Sequence, residues 1–348
     1  MAPTGLLAYL KLLFIAKIVR LQYNLKFKVG ILFGQIQSAR IVPFQSISIP
    51  STKSSRHIRV NIYRTKAALE TKGPVAVHLN WHGSGFLINS FGENSVFIEH
   101  LLNHPILVSY PLAIFDCDYA KAPEHPAPAA TDDAEDVANF VLSHPEVYDT
   151  SRVTLGGFSA GAAIALSLSA VFGERARNER KPHPFKAVSA YYPVVQLGGP
   201  RADPQIPPGP QTWPGVFLDK SITDLFDACY FFTPTLNEPK TAEEDDARVR
   251  KLQQDPRISP ARGAARDFSE HIHLVTCEYD HLNFDVERMR KTLQAEPGKH
   301  VYGKLIPGVG HSWDLMVLPG KPGFGERQDA YNETAKVIAR AGRVKVDI

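Results

Sequence analysis

Cysteine is scarce in this chain: three in 348 residues, Cys117, Cys229 and Cys277. So small and odd a set builds no disulfide framework, and none stands in a C-x-x-C pair. Cys117 and Cys277 fall in strand patterns and are expected to be buried packing residues. Metal-ligand spacing is missing too, with no H-E-x-x-H and no histidines clustered with cysteines. Neither a G-x-x-x-x-G-K-[ST] loop nor a dinucleotide fingerprint occurs, so no metal and no cofactor are expected. An excess of one charge is absent: 39 Lys and Arg face 36 Asp and Glu, leaving +3. The two signs are interspersed, which implies no nucleic-acid surface. Even the basic cluster Glu174–Lys181 contains acids and reads as a solvated helix end and loop. No internal repeat is visible, and no clean apolar run reaches the ~20 residues of a membrane-spanning helix.

What is present is a large core and a regular alternation. Apolar residues make up 44% of the chain. Residues 40–64 read as two strands, with period-two alternation from Ile58 to Arg64. Strand patterns then fall at 74–80, 112–118, 152–157, 186–193, 271–277 and 299–306. Helix patterns fall near 93–103, 131–143, 160–173, 284–294 and 324–341. Alternating β and α elements imply an α/β protein, with a mostly parallel sheet and helices on both faces.

The sharpest motif is Gly157-Phe158-Ser159-Ala160-Gly161, between the strand pattern ending near 157 and the helix pattern opening at 160. A serine on so tight a turn holds its hydroxyl outward, and the flanking glycines let the backbone turn and leave room for a substrate. Upstream, the strand at 74–80 runs into Trp81-His82-Gly83-Ser84-Gly85-Phe86. A small-residue turn there exposes backbone N–H groups, which suit an oxyanion formed when a serine attacks a carbonyl. Ala160, next after the serine, would supply a further donor. Acid and base are sought downstream, in loops at strand C-terminal ends. Asp280 follows the strand at 271–277 and is the candidate orienting acid; Glu278 and Asp285 are its rivals. His311 follows the strand at 299–306 and is the candidate base among 13 histidines. His281 adjoins the acid too closely to receive its hydrogen bond, and His300 lies at the wrong end of a strand. Asp314 reads as a helix-cap or surface residue.

These pieces, with the run Asp118-Tyr119-Ala120-Lys121-Ala122-Pro123-Glu124-His125-Pro126 and its trailing Asp132-Asp133, resemble the hormone-sensitive-lipase-like esterases of the α/β-hydrolase fold-3 group. The segment Asp255-Pro256-Arg257-Ile258-Ser259-Pro260 fits the same family, and the likeness covers roughly 70–320. It implies an α/β-hydrolase sheet of about eight strands with a helical cap. By position it implies hole donors at Ser84, Gly85 and Ala160, with Gly83 forming the turn. For Glu124 and His125 it implies a structural role, tying the loop beneath the elbow. Three departures bear on substrate preference: Ser84 replaces a glycine and sets a side chain near the pocket, Phe158 stands where Asp is frequent, and His281 where Pro is frequent.

Division of the chain follows: 1–35 an N-terminal helical cap segment, 36–195 and 263–348 the catalytic domain, 196–262 a cap insertion. The insertion holds a Pro- and Gly-rich stretch, 198–214, an aromatic helix over 224–232 and a charged helix over 241–252. Phe86, Phe158, Trp213, Phe226 and Tyr230 are candidate pocket residues, since aromatic groups suit an apolar site. Expected chemistry is hydrolysis of small to medium apolar or aromatic esters with short acyl chains, such as acetates. Acyltransferase, amidase or cyclase/lyase chemistry on the same triad stays open, as does a non-catalytic small-molecule receptor. The expected partner is a small ester; a homodimer is compatible with the sequence. At the N-terminus, Leu6–Val19 is apolar but interrupted by Lys11 and Lys17. It lacks a secretory pattern, and 345–348 are no retention or peroxisomal signal. A cytoplasmic protein is expected; the family likeness packs this helix into the cap, and an interfacial membrane helix is the second reading.

Overall fold

Alternation along the chain becomes one mixed sheet in the computed structural model, which describes residues 5–198, 206–208, 211–232 and 242–342. In chain order the elements are α1 (Leu6–Leu32), β1 (Gln45–Pro50), β2 (His57–Arg64), α2 (Lys66–Glu70), β3 (Val75–Trp81), α3 (Ser95–Asn103), β4 (Leu112–Cys117), α4 (Ala129–Leu142), β5 (Tyr148–Phe158) and α5 (Ala160–Asn178). They continue with β6 (Phe185–Tyr191), α6 (Lys220–Tyr230), α7 (Ala242–Gln253), β7 (His271–Cys277), α8 (Asn283–Gln294), β8 (His300–Tyr302), β9 (Leu305–Ile306), α9 (Trp313–Met316) and α10 (Phe324–Ala341). Sheet order is β1-β2-β4-β3-β5-β6-β7-β8, with β9 beside β7. β1–β2 and β2–β4 pair antiparallel; every pairing from β4–β3 onward is parallel.

Successive side chains on a strand point to opposite faces, and the core divides accordingly. Val75, Val77 and Leu79 of β3, with Ala113 and Phe115 of β4, pack with α4, α5 and α8. Ala76 of β3, with Leu112 and Ile114 of β4, packs on the other face with α3 and α10. Strands buried on both faces read as near-continuous apolar runs, which is why β3 and β4 stand out in the sequence. All three cysteines are buried and free.

One expected strand is broken. The run 299–306 divides into β8 and β9 because Gly303 has φ 83, and a Cβ there would meet Leu274 O at 2.1 Å. The backbone turns through a conformation that only glycine adopts at low cost, and the ladder stops. Helix α6 starts four residues before the aromatic run, where Asp219 accepts a hydrogen bond from Ile222 N at 3.0 Å. Of the features read from sequence, 199–205 and 209–210 of the Pro-rich stretch, Thr241 and 345–348 lie outside the described residues.

The apolar N-terminal segment is a single helix, α1. Leu12 and Ala16 are buried in the same core as Cys229 and Tyr230 of α6, and Tyr9 stacks on Phe232 at 5.6 Å. Arg20 is 6% exposed, and its guanidinium donates to Leu87 O, Ala122 O and both Glu124 oxygens at 2.7–2.8 Å. Lys17 adds a 3.0 Å contact to Glu124. Burial would lift the Glu124 carboxyl, but the Arg20 and Lys17 hydrogen bonds outweigh it and bring it down to about 2. The conspicuous Glu124 therefore has a structural role and ties the 119–126 loop to α1.

Candidate active site

Ser159 is the hinge between β5 and α5, at φ 51 and ψ −117. A non-glycine residue at positive φ is uncommon, and this strain lifts the side chain out of the turn. Gly161 lets α5 begin hard against β3, since a Cβ there would stand 2.2 Å from Trp81 O. Ser159 N donates to Tyr191 O at 2.9 Å, which fixes the turn from the β6 side.

The two downstream candidates meet it. His311 Nε2 lies 2.9 Å from Ser159 Oγ. His311 Nδ1 lies 2.6 Å from Asp280 Oδ2. The other Asp280 oxygen accepts Leu282 N–H at 3.0 Å. All three residues are buried, at 8, 5 and 2% exposure. Such a chain can carry a proton from hydroxyl to imidazole while the carboxylate fixes the tautomer. The rival acids are engaged elsewhere: Glu278 accepts Gly308 N–H at 2.7 Å, and Asp285 pairs with Arg288 at 2.6 Å.

The loop after β3 lies over the serine. A Cβ on Gly83 would stand 3.3 Å from Ser159 Cβ, and Gly85 has φ 56. No described acceptor meets the N–H of Ser84 or Gly85. Ala160 is the first residue of α5, so its N–H has no acceptor within the helix. The Ser84 side chain does not present its hydroxyl to a substrate. Its Oγ is 2.7 Å from the Tyr119 hydroxyl, which donates to His82 O at 2.7 Å.

A cavity of about 620 Å³ opens above Ser159 and His311. Phe86, Phe158, Phe226 and Tyr230 border it as expected, with Phe86 stacked on Tyr230 at 4.0 Å. Trp213 does not. Its ring packs 5.1 Å from Tyr279 and covers Gly310, where a Cβ would come within 2.1 Å of it. Trp213 thus props the histidine loop from behind. The neighbouring backbone clips that loop: Val216 N donates to His311 O at 2.6 Å, and His311 N to Val216 O at 3.0 Å.

The sequence profile of the alpha/beta hydrolase fold matches residues 78–315. The chain belongs to the α/β-hydrolase fold-3 family. Among curated relatives, the carboxylic ester hydrolase LipN of Mycobacterium tuberculosis is 28% identical over 223 residues, 62% of this chain and 53% of that protein. The 3-O-acetylpapaveroxine carboxylesterase of Papaver somniferum is 32% identical over 136 residues, 34% of this chain and 41% of that one. The chain spans about half the length of the curated relatives it matches. Among solved structures, an esterase of Pyrobaculum calidifontis superposes with a TM-score of 0.68 at 21% identity, covering 94% of this chain and 93% of that one. At that identity the likeness shows the α/β-hydrolase fold alone.

Several residues of this α/β-hydrolase site have no sequence signal. Asp314 is buried, not a surface residue, and accepts hydrogen bonds from Tyr192 at 2.6 Å and Tyr331 at 2.8 Å. Burial pushes its carboxyl up against those bonds. The Tyr192 ring packs edge-on against His311 at 4.6 Å, so Asp314 supports the imidazole through a phenol. From α1, Val19, Tyr23 and Phe27 also border the cavity.

Tyr23 donates to Glu93, a further cavity residue, at 2.8 Å. Burial pushes the Glu93 carboxyl up to about 8, against a lowering by the Tyr23 bond. Tyr119 and Ser90 also face this corner, and neither brings a charge. A carboxyl raised in the folded state keeps a proton that the unfolded chain releases above its ordinary range. Stability therefore falls as pH rises from the usual glutamate range to about 8. Glu93→Gln keeps the acceptor for Tyr23 and cannot ionise. Its melting temperature is expected to match the native chain near about pH 5 and exceed it increasingly up to about pH 8.5. Calorimetry across that range checks this; a difference that does not change with pH refutes it.

Proposed function

We propose that the protein is a serine carboxylester hydrolase. The observation that carries this reading is the continuous chain Ser159–His311–Asp280 beneath a glycine-bearing loop. Ser159 Oγ attacks the ester carbonyl and passes its proton to His311 Nε2. Asp280 holds the imidazole in the tautomer that receives it and stabilises the resulting charge. The N–H groups of Ser84, Gly85 and Ala160 take the developing oxyanion. His311 returns the proton to the leaving alcohol, and water then releases the acyl group from Ser159. Residues 1–35 and 196–262 act as a cap on the catalytic part formed by 36–195 and 263–348.

The cavity supports small to medium apolar or aromatic esters with short acyl chains. Phe86, Phe226 and Tyr230 supply an apolar lining, and about 620 Å³ suits a compact molecule. A relative named for an acetylated substrate, the Papaver somniferum enzyme, favours acetates. The same three residues would serve an acyltransferase, amidase or cyclase; the difference is which nucleophile reaches the acyl-enzyme. No described helix is long and apolar enough to cross a membrane.

A ladder of p-nitrophenyl esters from acetate to dodecanoate tests the reading. The expected result is turnover that peaks at the short end and falls as the acyl chain lengthens. Labelling of Ser159 by a fluorophosphonate without turnover of any ester would overturn hydrolysis and favour transfer or cyclisation.

A further inference from the structure

Helix α1 has two working sides, and only one is explained by the fold. Its inner side carries Leu12, Ala16 and Arg20 into the core and onto Glu124. Its outer side is an apolar ridge. Leu7, Leu10, Phe14, Leu21, Leu25 and Leu32 are spaced by three, four and seven residues, so they lie along one line of the helix. Their exposures are 84, 49, 66, 69, 60 and 78%. Soluble proteins rarely leave so long a continuous apolar strip in water, and such a strip marks an interaction site.

Charge decides what covers it. Between Leu6 and Leu32 the helix has Lys11, Lys17, Arg20, Lys26 and Lys28 and no Asp or Glu. Arg20 and Lys17 are occupied by Glu124. Lys11 and Lys28 are exposed along the edges of the ridge, with no carboxylate partner among the described residues. A second copy docking ridge to ridge would set lysines against lysines with no acid to answer them. An anionic lipid surface answers them directly: the ridge enters the acyl boundary and the lysine heads reach the phosphates.

The cavity lies against the inner side of the same helix. Tyr23, Lys26 and Phe27 of α1 border it, together with Ile222 and Met316, which are 36 and 38% exposed. A ridge laid on a membrane therefore leaves the cavity on the far side of α1 and does not obstruct it. We propose that the outer side of α1 is a docking face for anionic membranes. This docking does not rest on the hydrolase reading above.

Co-sedimentation of the full chain with vesicles tests it. The chain is expected to pellet with phosphatidylcholine–phosphatidylserine vesicles, to stay largely in solution with phosphatidylcholine alone, and to be released by salt. The double variant Phe14→Glu/Leu21→Glu should lose pelleting while keeping its kcat/KM for soluble p-nitrophenyl acetate, because both side chains are exposed and neither borders the cavity. Lys11→Glu/Lys28→Glu should bind the anionic vesicles about tenfold or more weakly. Absence of pelleting with either vesicle, or equal pelleting by the charge-reversed variant, overturns the proposal. A wild-type dimer in light scattering that Phe14→Glu/Leu21→Glu converts to monomer would also overturn it, assigning the ridge to a second copy. Vesicle binding without p-nitrophenyl acetate turnover would leave docking standing and remove the hydrolase reading.

Discussion

Ser159→Ala is expected to lower kcat/KM for p-nitrophenyl acetate by roughly 10⁵-fold or more. Its Oγ lies 2.9 Å from His311 Nε2, and alanine leaves that imidazole with nothing to deprotonate. A water in place of Oγ lacks the fixed position that makes attack effectively unimolecular. The residual rate would come from the N–H groups of Ser84, Gly85 and Ala160, the donors to which the proposed mechanism gives the oxyanion. Fold should be kept, because the Ser159 backbone is held through its N–H to Tyr191 O and by the start of α5, neither of which uses the hydroxyl. Progress curves with fluorophosphonate titration of active sites, beside thermal melts of both proteins, make the comparison. A folded variant that retains native activity removes Ser159 from the mechanism and moves the search to another nucleophile.

The parts of this molecule that were legible in the sequence share one property: the signal is local. Ser159 is marked by its flanking glycines, and Asp280 and His311 by their place just after strand patterns. β3 and β4 are marked by unbroken apolar runs, because both their faces are covered. What was not legible depends on residues far apart in the chain. Asp314 looks like any carboxylate in a short helix until Tyr192 and Tyr331, 122 and 17 positions away, close over it. Trp213 sits in a Pro-rich stretch without periodicity, so nothing in its neighbours tells cavity from loop support; its place behind Gly310 is a tertiary fact. Glu124 stands in a conspicuous motif, yet its partner Arg20 is 104 residues upstream in a helix whose sequence shows mainly apolarity. The break at Gly303 has a local cue, a glycine inside a strand pattern, which weakens the ladder whatever the apolar residues on either side.

Asp280→Asn and Asp314→Asn should part cleanly, and the contrast assigns the acid. Asp280 Oδ2 faces His311 Nδ1 at 2.6 Å, and its second oxygen already accepts Leu282 N–H. An asparagine there keeps the shape but can turn its NH₂ toward Nδ1. The imidazole then carries its proton on Nε2, facing Ser159, and can no longer act as base. A loss of roughly 10⁴-fold in kcat is expected, with little change in melting temperature. Asp314 never touches His311; it satisfies two buried phenols, and an amide replaces one of its acceptors with a donor. A buried hydroxyl left without an acceptor costs about 1–3 kcal/mol. Asp314→Asn should therefore lower the melting temperature visibly while kcat stays within about tenfold, because its effect reaches His311 only through the Tyr192 ring. Steady-state kinetics on p-nitrophenyl acetate and calorimetry of both variants check the pair. The reverse pattern, with kcat collapsing in Asp314→Asn and surviving in Asp280→Asn, would transfer the orienting role to Asp314 and require His311 to rotate away from the position it holds between Asp280 and Ser159.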